Sequence, residues 1–266
     1  MGLTTDLRDV EQAEVVIISI GSQSLRALLA EAPMQALRNK TAVLCMKGLE
    51  MGTGERLSVI AGELLHPSCT VAVWLGPGHV QEFYRGIPNC MVIDSENEQV
   101  KRRLVQAFSS DLIRFYYGGD MIGNEVGAAA KNVVGIAAGF LDGVEMSSLK
   151  GALMSRGTRE VARLIRAMGG NELSAYGLCH LGDYEATVFS PYSHNRQFGE
   201  SFIRHQDYHR LAEGYYTVEA LMVLSERYQV ELPICRAVHA ILYENADPRE
   251  QLTELLRRGL RAEFDD

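Results

Sequence analysis

The sequence predicts an α/β domain built on an incomplete, doubly wound, mostly parallel sheet, followed by an all-helical domain. Short apolar, β-branched runs recur through residues 1–118, each bounded by turn residues. Helix-period stretches alternate with them, as a parallel sheet covered on both faces requires. From about residue 119 the strand-like runs stop, and the periodic segments read at 3.6 residues per turn. The expected division is therefore 1–118 and 119–266, joined through Gly118-Gly119-Asp120, with a cleft between the two parts where ligands commonly bind.

Taken in order, EVVIISI (14–20) reads as a buried strand, and SQSLRALLAEAP reads as the helix that follows it. TAVLCM (41–46), CTVAVWLG (69–76), NCMVIDS (89–95) and LIRFYY (112–117) continue the strand series. GERLSVIAGELL and NEQVKRRLVQAFSS are the helical patterns between them. In the second half, 123–140, 147–168, 171–180, 208–228 and 249–260 carry helical periodicity, and Pro191 and Pro233 mark breaks.

Composition removes several function classes. With 47% hydrophobic and 23% charged residues, the 266-residue chain has the balance of a globular protein. No apolar run approaches the ~18 residues of a membrane span, and the first residues, MGLTTDLRDVEQAE, lack the pattern of a signal peptide. A formal charge of −8 argues against general nucleic-acid binding but leaves room for a small anionic ligand in a locally cationic pocket. The 5 cysteines have no C-x-x-C spacing, so reduced thiols in a cytoplasmic chain are expected, without metal or disulfide. Cys45 reads as a core thiol. His205 and His209 lie four apart with no third ligand evident, which fits a solvated helical face better than a metal site.

Several polar residues stand out. Lys131 lies inside the small-residue run GNEVGAAAKNVVGIAAGFLDG, on one helical face with Asn124, Ala128, Gly135 and Ala138. It reads either as a lysine that snorkels to water or as an ammonium held in a cleft for proton transfer. Lys47 follows the strand TAVLCM, at the strand end where ligands of parallel sheets gather. WLGPGHV has glycines that either admit a ligand close to the backbone or make a tight turn. HLGDYEATVFSPYSHNRQFGES concentrates His180, Asp183, Thr187, Ser193, His194, Asn195 and Arg196. Its hydroxyl, amide and guanidinium groups suit a phosphate monoester or, equally, a capped turn.

The motifs KGLE, GP, GNEVGAAAKNVVGIAAG, ALMSRG, LGDYEAT, SHNRQFG and LAEGYYTVEAL occur together and in order. From about Leu3 to the C-terminus the chain resembles the bacterial NAD(P)-dependent glycerol-3-phosphate dehydrogenases, with a Rossmann-type nucleotide domain. The resemblance implies hydride transfer between NAD or NADP and the C2 carbon of a three-carbon phosphate, feeding phospholipid synthesis. It makes Lys131 the catalytic acid–base and Lys47 a contact to both substrate and cofactor. Gly76, Gly78, Asp183, Thr187, Ser193, His194, Asn195 and Arg196 fall on the substrate side, and Val80, His194 and Glu213 on the cofactor side. Two ammonium groups near a carbonyl oxygen would stabilise a developing alkoxide.

Three departures qualify the implied activity. Gly-Pro-Ser/Thr-Phe-Ala of the family is here Gly76-Pro77-Gly78-His79-Val80. The phosphate-binding arginine is replaced by His194, which is mostly neutral near pH 7. The G-x-G-x-x-G fingerprint is absent, and the expectation is a chain that starts after the first part of the nucleotide domain, with impaired turnover. The strand EVVIISI would then form a bare edge, open to a partner or to a second copy in a homodimer. The alternative expectation is a non-catalytic phosphate-ester-binding or interaction protein derived from the same fold.

Overall fold

The computed structural model describes residues 2–78 and 80–257. Its sheet holds β1 (Val15–Ile18), β2 (Thr41–Leu44), β3 (Thr70–Leu75), β4 (Asn89–Asp94) and β5 (Ile113–Tyr117), in that spatial order. Pairing is parallel except between β3 and β4. The covering helices are α1 (Leu25–Ala30), α2 (Ala32–Gln35), α3 (Leu57–Leu64), α4 (Val80–Tyr84) and α5 (Glu98–Phe108). β2 is buried along its whole length because helices cover both faces. Among the described residues β1 pairs with β2 alone, and Ile17 on it remains 47% exposed.

The helical part is organised around α6 (Met121–Gly143), 23 residues that are buried almost without interruption from Gly123 to Leu141. A helix apolar on every side belongs in a core. Here small residues let α7 (Lys150–Ala167), α8 (His194–Ile203), α9 (Glu213–Tyr228) and α10 (Pro233–Tyr243) approach it, and α11 (Pro248–Arg257) packs against α10. Gly139 is the closest crossing, where an added Cβ would run into the carbonyl of Arg196 on α8.

The two parts share packing and polar contacts. Ala128 of α6 and Cys179 join the apolar cluster beneath the sheet. The buried Asp94 at the end of β4 accepts from the Asp120 N–H at 3.0 Å and from Asn124 at 2.9 Å, which fixes the entry into α6. Buried Glu125 accepts from Ser58 N at 2.9 Å and pairs with Arg56 at 2.8 Å, satisfying first-turn amides of α3.

Two local expectations are corrected, while the helix cap in the 180–201 run and the break at Pro233 are found as expected. Segment 171–180 is not an α-helix: Glu172–Tyr176 is 3-10, and Leu181–Asp183 (3-10) and Glu185–Phe189 (π) follow it. Residues 206–212 are not helical, so α9 begins at Glu213 and His205 and His209 share no helical face. The polar run from His194 forms α8, with Ser193 as its N-cap. Pro233 opens α10, where its missing N–H has no helical partner to lose.

Candidate active site

Lys131 does not reach water. It is 7% exposed in the middle of α6, and its Nζ lies 2.9 Å from Asp183 Oδ2 and 2.7 Å from Thr187 Oγ1. Lys47, three residues past β2, sends its Nζ to the same Asp183 oxygen at 2.8 Å and to the carbonyl of Gly76 at 2.6 Å. Asp183 and Thr187 are themselves buried, and the Thr187 hydroxyl donates to the Asp183 carbonyl at 2.7 Å. One carboxylate therefore holds two ammonium groups in the seam between sheet and helices.

That count sets the electrostatics. Burial pushes the Lys131 ammonium down to about 8; Asp183 opposes the shift and Lys47 adds to it. The neighbouring Cys179 thiol is pushed up to about 12 by burial, so it stays protonated. With one carboxylate against two ammonium groups, an oxygen anion arriving here meets an excess positive charge.

A chain of amides ties this cluster to α8 and α9. The Asn132 side chain donates to the Lys47 carbonyl at 2.7 Å, and Asn195 donates to Asn132 at 3.0 Å. The Asn195 oxygen in turn accepts from the Gly214 N–H at 2.9 Å. Glu213 caps the turn after β1, accepting from Ser22 N at 2.9 Å and Ser22 Oγ at 2.5 Å. A Cβ on Gly48 would lie 3.1 Å from Glu213, so this carboxylate stands beside the Lys47 backbone.

The structure thus brings Lys131, Lys47, Gly76, Asp183 and Thr187 into contact, with Asn195 joined to Lys47 through Asn132 and Glu213 standing beside Gly48. Gly78 (φ +149°) packs on Phe83, and Val80 begins α4 with 62% of its surface exposed. Ser193 Oγ caps α8 by accepting from Arg196 N, and exposed His194 meets the Tyr208 hydroxyl through Nδ1 at 3.0 Å. Arg196 is drawn elsewhere: its guanidinium pairs with Asp142 at 2.8 Å and Glu200 at 3.2 Å. Asp142 lies 11 residues along α6 from Lys131, about 16 Å at the helical rise.

Asn132 and Ser22 are polar partners that the sequence reading did not single out. The signal for Asn132 was its place beside Lys131, a second polar residue inside an apolar run. Ser22 gave none, because its role depends on Glu213, 191 residues away. Cys45 behaves as the core thiol expected, its ionisation pushed up to about 11 by burial. Among the described residues no three His, Cys, Asp or Glu side chains are grouped to hold a metal ion.

The N-terminal model of NAD-dependent glycerol-3-phosphate dehydrogenase matches residues 1–101, and the C-terminal model matches 120–253. A glycerol-3-phosphate dehydrogenase [NAD(P)+] from Thermotoga sp. (strain RQ2) is 33% identical over 269 residues, covering 98% of this chain and 81% of that protein. The corresponding protein of Fusobacterium nucleatum is 32% identical, with the same coverage. The crystal structure of glycerol-3-phosphate dehydrogenase from Coxiella burnetii superposes with a TM-score of 0.88 at 29% identity, over 95% of this chain and 80% of that one. Two consecutive family models, similarity over 98% of this chain and a shared architecture place the chain in the NAD-dependent glycerol-3-phosphate dehydrogenase family.

Proposed function

We propose that the chain binds sn-glycerol 3-phosphate and dihydroxyacetone phosphate in the seam between residues 1–118 and 119–266, with Lys131 as the acid–base for the C2 oxygen. One observation carries this reading: Lys131 and Lys47 share a single buried carboxylate oxygen of Asp183. An ammonium near pH 8 exchanges a proton with a substrate oxygen at little cost on either side of neutrality. Lys47 keeps a fixed charge beside it and opposes the negative charge that grows on that oxygen. Thr187 orients the Lys131 Nζ, and Asp183 keeps both ammonium groups in the seam when no substrate is present.

For the phosphate group the donors nearest the cluster are those opening α8, Ser193, His194 and Asn195, where helix N–H groups and the helix dipole favour an anion. Arg196 serves α6 through Asp142 rather than the ligand.

The dinucleotide in the family's name is met only in part. Lys47, Gly76, Val80 and Glu213 stand at or near the carboxyl ends of strands, the side where nucleotides bind such sheets. The 266 residues contain no G-x-G-x-x-G. The strand order runs β1 to β5 without reversal, so the described residues form no switch-point crevice.

The imidazole of His194, where the family carries a phosphate-binding arginine, supports a second reading, a phosphate-ester-binding protein without turnover. Assaying dihydroxyacetone phosphate with NADH, with NADPH and against other small keto compounds separates the two. Reduction that is selective for dihydroxyacetone phosphate and abolished by Lys131→Met supports the dehydrogenase. A folded chain that binds the ester yet reduces nothing with either dinucleotide supports the second reading.

A further inference from the structure

Behind the lysine cluster lies a second, fully buried polar group. His180 and Tyr184 have no exposed surface. His180 Nδ1 is 2.8 Å from the carbonyl of Gly127, and its Nε2 is 2.7 Å from the Tyr184 hydroxyl. Burial pushes the imidazole down to about 4, so the ring is neutral at physiological pH. A carbonyl can only accept, so Nδ1 carries the proton and Nε2 accepts from Tyr184. Thr158 of α7 contacts the same hydroxyl and sends its own hydroxyl to the Met154 carbonyl at 2.8 Å. Helix α6 and the 180–184 segment are thereby linked through one imidazole and one phenol.

The placement relative to the reacting groups gives this network a purpose. Gly127 is one helical turn before Lys131, and its carbonyl is the acceptor that helix geometry assigns to the Lys131 N–H. His180 precedes Asp183 by three residues, and Tyr184 precedes Thr187 by three. The stretch carrying Asp183 and Thr187 is 3-10 and then π-helical, a backbone that holds its own shape poorly. An outside anchor is needed, and Gly127 makes room for it: a Cβ there would sit 3.0 Å from that of His180.

We propose that His180 and Tyr184 are a positioning pair, which clamps the 181–189 segment to the turn of α6 that presents Lys131 and so sets Asp183 and Thr187 on its ammonium. The pair touches no substrate. This rests on the reading of Lys131 as the acid–base, but its test does not need turnover. The charged and titratable groups acting on Lys131 are Asp183, Lys47 and Cys179, with neutral His180 behind them. Loosening the clamp withdraws the one anion among them, so Lys131 should lose its proton more easily.

Competitive acetylation with acetic anhydride, read by mass spectrometry across pH 6 to 11, reports the titration of Lys131 directly. We expect the Lys131 midpoint to fall by about 1 pH unit in Tyr184→Phe and in His180→Leu. His180→Asn keeps an N–H donor at the position of Nδ1 and should stay near the wild-type midpoint, a rescue that a merely space-filling role would not give. Circular dichroism screens each variant for folding. If His180→Leu does not fold, Tyr184→Phe and His180→Asn still decide the matter. A wild-type midpoint in folded Tyr184→Phe, or equal shifts in the asparagine and leucine variants, overturns the proposal. Wild-type protein that fails to bind sn-glycerol 3-phosphate in a parallel titration would remove the dehydrogenase reading and leave the clamp to be judged by the labelling alone.

Discussion

Lys131 could be noticed in the sequence but not interpreted there. A lysine inside a run of Gly and Ala fits a snorkelling side chain as well as a reactive one. What separates the two is Asp183, 52 positions later in the chain, which meets Lys131 only after folding. Lysine at about pH 8 fixes the direction of the pH response. Oxidation of an alcohol needs the neutral amine and should rise through that value as pH increases. Reduction of a ketone needs the ammonium and should fall through the same value. Initial rates in both directions, or proton uptake on ligand binding, would check the crossing; parallel profiles would exclude Lys131 as the titrating group. Asp183 is the structural counterpart. Replacing it with Asn leaves two ammonium groups close together without an anion. We expect a loss of about 3 kcal/mol, at the lower end for a broken buried pair because Lys47 is partly exposed. Urea unfolding at pH 7 measures it, and a loss under about 1 kcal/mol would mean that the pair relaxes into water.

At the scale of elements, alternation and periodicity located the strands and long helices because each has a single buried stripe or a fully apolar run. The misreadings cluster where the backbone serves the site. Segment 171–180 has helical spacing, but its own turns close three residues apart, and Asn171, Ser174 and His180 bond outward to Asp120 and Gly127. Such contacts override local propensity and carry no periodic signal. Glycine on helices offers a sharper test of element packing. In an open helix position, Ala is better than Gly by about 1 kcal/mol. Gly62 on α3 faces open space, so Gly62→Ala should stabilise by roughly 0.5–1 kcal/mol. Gly139 on α6 has the same propensity term but faces the backbone of α8. Gly139→Ala should therefore destabilise, by about 1–3 kcal/mol. Thermal unfolding of the two variants reads opposite signs if α6 and α8 cross as described; two shifts of the same sign would contradict that crossing.

At the scale of the molecule, the sequence carried the α/β-then-helical order and the main ligand-facing motifs. Among the described residues the strand order runs from β1 to β5, and β1 at its edge is partly exposed. The seam was harder to read, because its contacts pair residues far apart, as Ser22 does with Glu213 and Lys47 with Asp183. Arg196 shows the limit most clearly. Its position within SHNRQ suggested a phosphate contact, whereas Asp142 and Glu200 hold its charge against α6 and α8. On the proposed reading, the seam residues Lys131, Lys47 and Asp183 serve the ester and the strand ends of the first part serve the dinucleotide. Calorimetric titration of the 266-residue chain with sn-glycerol 3-phosphate, without and then with NADH, tests that division most directly. We expect the ester to bind, and to bind at least tenfold more weakly to Lys47→Met, with NADH binding alongside it. A folded chain that ignores the ester both with and without NADH would contradict it.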